Sequence, residues 1–167
     1  SQKNTVHNWI VHILKITVKG VIGRHIVMDS HKGFGNANLS LWRLLYTWSE
    51  NQNIELISID CVGLRNSTPR AGNAVLSVRN SVEFIDNANI LKASILEEFA
   101  SVEKDLQINI ENFSTAERAI SEEDSKKVIL AIKAAHNGVY RMSPDVKDLV
   151  ETSNNVARVL LSNGELT

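Results

Sequence analysis

One cysteine in 167 residues excludes an intrachain disulfide framework. That residue, Cys61, sits in the apolar run Ile57 to Val62, so a buried, inert strand thiol and a reducing, cytoplasmic compartment are expected. No apolar stretch approaches the ~18 to 20 residues that span a bilayer. The opening Ser1-Gln2-Lys3-Asn4 lacks the basic-then-apolar order of a signal peptide, and no membrane partner is expected. Charge of one sign is also missing, because 18 Lys+Arg face 19 Asp+Glu. The net charge of -1 provides no footprint for phosphate backbones, and no strand is both aromatic-rich and basic, so nucleic acid is not an expected partner. Metal-ligand spacings such as His-x-Asp or His-Glu-x-x-His are absent, which predicts no metal or cofactor site in these residues. There is no initiator Met, which is expected of a piece of something longer.

What is present is ordinary globular composition, 43% hydrophobic and 22% charged, at a length suited to one domain over residues 1–167. Ile10 to Val18 alternates as a strand ending at Gly20, and residues 20–38 form a loop too long for an idle connection. Leu41, Leu44, Leu45 and Trp48 recur at helical spacing, predicting a helix over 38–50 with Asn36 or Asn38 as its cap. Trp42 and Trp48 are expected to pack in the core or at an oligomer interface. Strands are predicted at 54–62 and 74–78, paired as a hairpin with an enlarged loop. Asn87 is the expected cap of a helix over 88–105, with Glu97, Glu98, Glu103 and Lys104 on its wet face.

Ile108 and Ile110 mark a short strand, and Ser121 to Asp124 starts a third helix in the manner of a capping box, stopping at Asn137-Gly138. Residues 133–153 show no clear periodicity, and 156–161 reads as a closing strand before the turn Ser162-Asn163-Gly164. The order β-α-β-β-α-β predicts an α+β fold, a ferredoxin-like βαββαβ sandwich with an additional C-terminal helix and strand. Read without further context, His7, His12 and Arg79 are surface residues, and Asn66-Ser67-Thr68-Pro69 is a turn.

Three stretches carry a more specific pattern: VKGVIGRHIVMDSHKGFGNAN at 18–38, GLRNSTPR at 63–70 and NGVYRMSPDVKDLVETS at 137–153. In order, they resemble the aminoacyl-histidine (Xaa-His) dipeptidases of the peptidase D type. That family typically reads G-G-H-S-G, an Asp, a His and G-x-G-N-A-N in the first block, L-R-N-A-I-P-R in the second, and N-G-V, M-S and V-E-T-S in the third. The resemblance departs at Arg24, Ile26 and Val27, which replace small residues around the family histidine, and at Gly72 and Asn73, which follow the Pro-Arg pair where Glu-Ala is usual. Branched side chains beside that histidine predict a narrower approach for substrate.

The resemblance implies a lid and dimerisation domain, inserted between the halves of a catalytic domain that carries two zinc ions and the water-activating glutamate. It implies that His25 donates a hydrogen bond to the carbonyl oxygen becoming an oxyanion, and that Asn66 and Arg70 hold substrate. His31, Asn36 and Asn38 also match, with loop hydrogen bonding and helix capping as their expected roles. Implied partners are a dipeptide substrate, a second copy of the protein and its own catalytic domain. The chain alone is expected to hydrolyse nothing, its ligand set lying elsewhere. The competing reading is a stand-alone ferredoxin-like module for oligomerisation or small-ligand binding.

Overall fold

The computed structural model describes residues 11–21, 37–61, 70–115 and 117–167. Expectations for His7, His25, His31, Asn36 and Asn66 lie outside the described residues.

Strand β1 (His12–Lys19) buries Leu14, Ile16 and Val18 and turns Lys15, Thr17 and Lys19 to the opposite face, as period-two alternation requires. It ends at Gly20, whose φ of +84 is open to glycine and whose missing Cβ matters more still. A Cβ there would lie 1.8 Å from the backbone oxygen of Asp105. Helix α1 (Ala37–Asn51) follows, then the antiparallel pair β2 (Ile54–Cys61) and β3 (Ala71–Val78). Next come helix α2 (Ser81–Phe99), strand β4 (Gln107–Asn112) and helix α3 (Glu122–Ala134). Four short strands complete the chain: β5 (Gly138–Met142), β6 (Val150–Asn154), β7 (Val159–Ser162) and β8 (Glu165–Leu166).

Six strands form one sheet in the order β4-β1-β3-β2-β7-β8, with every pairing antiparallel, and β5 and β6 form a separate ribbon. The architecture is therefore a mixed α/β layer whose sheet is antiparallel throughout the described residues. Helix α1 packs on β1, β2 and β3 and is flanked by α2 and α3, so Leu41, Trp42, Leu44, Leu45 and Trp48 are all buried in one core. Both tryptophans belong to this core, Trp48 lying edge-on to Phe84 at 4.8 Å.

Several boundaries differ from the sequence reading. Helix α2 begins seven residues earlier because Asn80, not Asn87, caps it: Asn80 Oδ1 accepts from Glu83 N, and Asn80 Nδ2 donates to Glu83 Oε2 at 3.0 Å. The helix stops at Phe99, after which 100–106 turns, and this turn buries Glu103, which the sequence pattern put on the wet face. Glu97 and Glu98 are solvated as expected. Asn38 lies inside α1 rather than capping it. Residues 138–154, without periodicity, form the β5–β6 hairpin. The third helix joins the same layer as the other two, against β2.

Ser121 caps α3 as its sequence position implied, its Oγ accepting from Asp124 N at 3.1 Å. The turn at Asn163-Gly164, both with positive φ, closes β7 onto β8.

Candidate functional site

Because β1 and β2 each run antiparallel to β3, they end at the same edge of the sheet, where β3 begins. Lys19 pairs with Ala71 on one side and with Gln107 on the other, while Asp60 pairs with Asn73 and Cys61 with Val159. The described ends of β1 and β2 and the start of β3 thus lie at one end of the scaffold, and α1 also starts there, its Asn38 lying against Gly72. Arg70, exposed, immediately precedes Ala71 and so sits at this edge beside Lys19.

The scaffold beneath this edge is closely packed. A Cβ on Gly72 would meet Cys61 Sγ at 2.9 Å, Asn38 Oδ1 at 3.3 Å and Leu41 Cδ2 at 3.3 Å. Burial pushes the Cys61 thiol up to about 12, with the Asp60 charge acting in the same direction and a backbone hydrogen bond at Asn73 opposing it. At neutral pH this sulfur is protonated and serves packing rather than chemistry.

Asn38 has a role the sequence reading missed. Its Nδ2 donates to the Val156 carbonyl at 3.1 Å, while Val156 N donates to Asn137 Oδ1 at 2.7 Å. The end of the first motif stretch and the start of the third are therefore tied through the two sides of one peptide residue. Asn154 Nδ2 adds a 2.7 Å bond to the His136 carbonyl at the base of the ribbon. The signal was present in the sequence as matched asparagines, but their partners lie more than a hundred residues away in the first case.

On the open face of the sheet, Thr17 Oγ1 and Asn73 Oδ1 are 2.9 Å apart, the hydroxyl donating. A cleft of about 560 Å³ lies at the opposite end, between α1 and α2, lined by Thr47, Trp48, Glu83, Asn87, Leu91 and Ser94. It contains none of the residues singled out in the motif stretches. Among the described residues no group of three or more His, Cys, Asp or Glu gathers in a way that would hold a metal ion. Those residues do not fit a zinc site. Among the described residues no helix is long and apolar enough to cross a membrane.

No family model matches the chain. It is 31% identical over 154 residues to the cytosol non-specific dipeptidase of Escherichia coli (strain K12), a match covering 91% of this chain and 32% of that protein. The crystal structure of aminoacylhistidine dipeptidase from Vibrio alginolyticus superposes with a TM-score of 0.86 at 28% identity, over 93% of this chain and 32% of that one. The chain spans about a third of the length of each.

Proposed function

This chain is homologous to one segment of the peptidase D type dipeptidases, and from that premise we propose that it is the lid and dimerisation domain of a zinc-dependent, cytoplasmic Xaa-His dipeptidase. The carrying observation is the close structural likeness to a segment of a dipeptidase, combined with the placement of Lys19, Asn38 and Arg70, the described ends of two motif stretches, at one sheet edge. We read the β4-β1-β3-β2 portion, with α1 and α2 against it, as a ferredoxin-like sandwich extended by α3 and the later strands.

In this reading the zinc ions and the group that activates water belong to polypeptide outside the chain. The chain contributes orientation and charge stabilisation. His25 donates an N–H to the peptide carbonyl oxygen as negative charge develops on it, and Asn66 and Arg70 hold the substrate's carboxylate or main chain. This role requires that His25 be held in place before charge appears, since only a preorganised donor is worth its full effect.

The test is a chimera in which this chain replaces the homologous segment of the E. coli relative. His25→Ala is expected to lower kcat on an Xaa-His dipeptide about a hundredfold, the typical worth of one oxyanion donor, with zinc content unchanged. An unchanged kcat removes the proposed role. Stoichiometric zinc in the purified 167-residue chain, or hydrolysis by that chain alone, overturns the lid reading.

A further inference from the structure

The β5–β6 ribbon is hydrogen-bonded to no other strand among the described residues, and its two register shifts leave a short, irregular ladder. None of residues 138–154 is buried. Tyr140 is 74% exposed, Met142 46%, Val146 52% and Leu149 49%, which concentrates four large apolar side chains on ten residues of surface. A lone two-stranded hairpin is at best marginal in water, and clustered exposed apolar groups mark contact surfaces.

The ribbon is nevertheless held in a defined place. Its base is fixed by the Asn154–His136 and Val156–Asn137 bonds, and its tip by Ser143, whose N donates to the Leu149 carbonyl at 2.7 Å and whose Oγ accepts from Val146 N at 3.1 Å. Arg141 and Glu151 pair across the strands at 2.7 Å, at the surface. The structure therefore spends ordering free energy on a segment that contributes little to the chain's own core. This same segment carries the third motif stretch, including the N-G-V, M-S and V-E-T-S positions. The pattern positions Val139, Ser143 and Val150 are half-buried, but Met142 and its neighbours Tyr140, Val146 and Leu149 turn outward, and an outward apolar cluster on an ordered ribbon points to a surface completed by other polypeptide. The relatives supply a candidate, since about two thirds of their length lies outside the match.

We propose that the β5–β6 ribbon is the docking surface for the catalytic portion of the parent dipeptidase, which covers Tyr140, Met142, Val146 and Leu149 with apolar side chains. The inference rests on the lid reading and names the surface through which that lid is held.

Hydrogen exchange on the 167-residue chain and on the E. coli chimera tests it. Amides of 138–154 are expected to exchange at least about tenfold more slowly in the chimera, while β1 and β3 are protected in both. Equal exchange of the ribbon in a chimera that hydrolyses dipeptide overturns the docking and leaves the lid reading standing. A protected ribbon in a folded but inactive chimera supports docking and counts against the catalytic reading. Concentration-dependent protection in the isolated chain would make a second copy the occupant and overturn the proposal. If the chimera does not fold, Tyr140→Ser with Leu149→Ser in the isolated chain still decides: the proposal expects an unchanged melting midpoint, and loss of folding assigns these residues to the chain's own core.

Discussion

The tightest constraints sit at single residues where backbone and sulfur approach. Gly20 leaves no room for a methyl group against the Asp105 carbonyl, and its φ of +84 adds strain for any other residue. Gly20→Ala is expected to destabilise the chain by at least about 2 kcal/mol in urea denaturation, combining left-handed strain with a steric shift of the 105–106 backbone. Gly72 is crowded differently, mainly by the Cys61 sulfur. Gly72→Ala should therefore be costly alone and cheaper when Cys61→Ala removes the sulfur, and a double-mutant cycle should give a coupling of about 0.5–3 kcal/mol. Additive effects would mean that the strain is relieved elsewhere. The raised thiol pKa carries its own check: Cys61 should stay unreactive toward alkylating reagents at neutral pH until the chain is denatured.

At the scale of elements, α3 is fastened to the sheet through a hydrogen bond that no periodicity announces. Ser125 is fully buried, and its Oγ accepts from Leu56 N at 2.8 Å, while Ile120 N donates to the Leu56 carbonyl at 2.8 Å. The β2 ladder is irregular between Leu56 and Ser58, and β7 pairs only with Ile59 to Cys61, so residues 120–125 occupy the polar groups that β7 does not reach. Ser125→Ala leaves a buried N–H without its partner and should cost about 1–3 kcal/mol in chemical denaturation. The helix cap also responds to pH. The Ser121 hydroxyl, then Lys127, hold the exposed Asp124 carboxyl below its ordinary range. This contribution is present above the unfolded carboxylate pKa and is lost as pH falls through the lowered folded value. Acid should weaken α3, and Asp124→Asn should remove that part of the acid dependence.

The elements that the sequence revealed were those with one buried face: β1 alternated cleanly and α1 presented a broad apolar stripe. The ribbon was illegible because none of its side chains is fully buried and its ladder is irregular, so period two left no clear hydrophobic trace. The early start of α2 rests on Asn80 with Glu83 three residues on, a capping signal that the reading at Asn87 passed over. Arg70 lies at the edge where β1 and β2 end, while His25 and Asn66 fall outside the described residues. The long-range clamp from Asn38 through Val156 to Asn137 depends on tertiary placement that spacing does not encode.

For the whole molecule, the distribution of apolar surface bears on assembly. Helix α2 buries only Phe84, Ala88 and Ile95 over its nineteen residues, while Val82 and Ile90 are each 71% exposed. They are eight residues apart and so lie close to one helical stripe. Beside α2 in the fold is β4, the terminal strand of the six-stranded sheet. Ile90 also lines the cleft between α1 and α2, so the helix stripe and the β4 edge are two separate candidate surfaces for the proposed homodimer, in which two copies related by a twofold axis present the same surface to each other. If α2 supplies part of that contact, Val82→Asp with Ile90→Asp places like charges in it and favours the monomer. Because neither side chain is buried within the chain, the melting midpoint of the monomer should hardly move. Light scattering of the chimera should therefore show mass falling by half with secondary structure intact. An unchanged dimer mass would remove α2 from the interface, leaving the sheet edge to be tested by a proline at Asn109, an exposed β4 position.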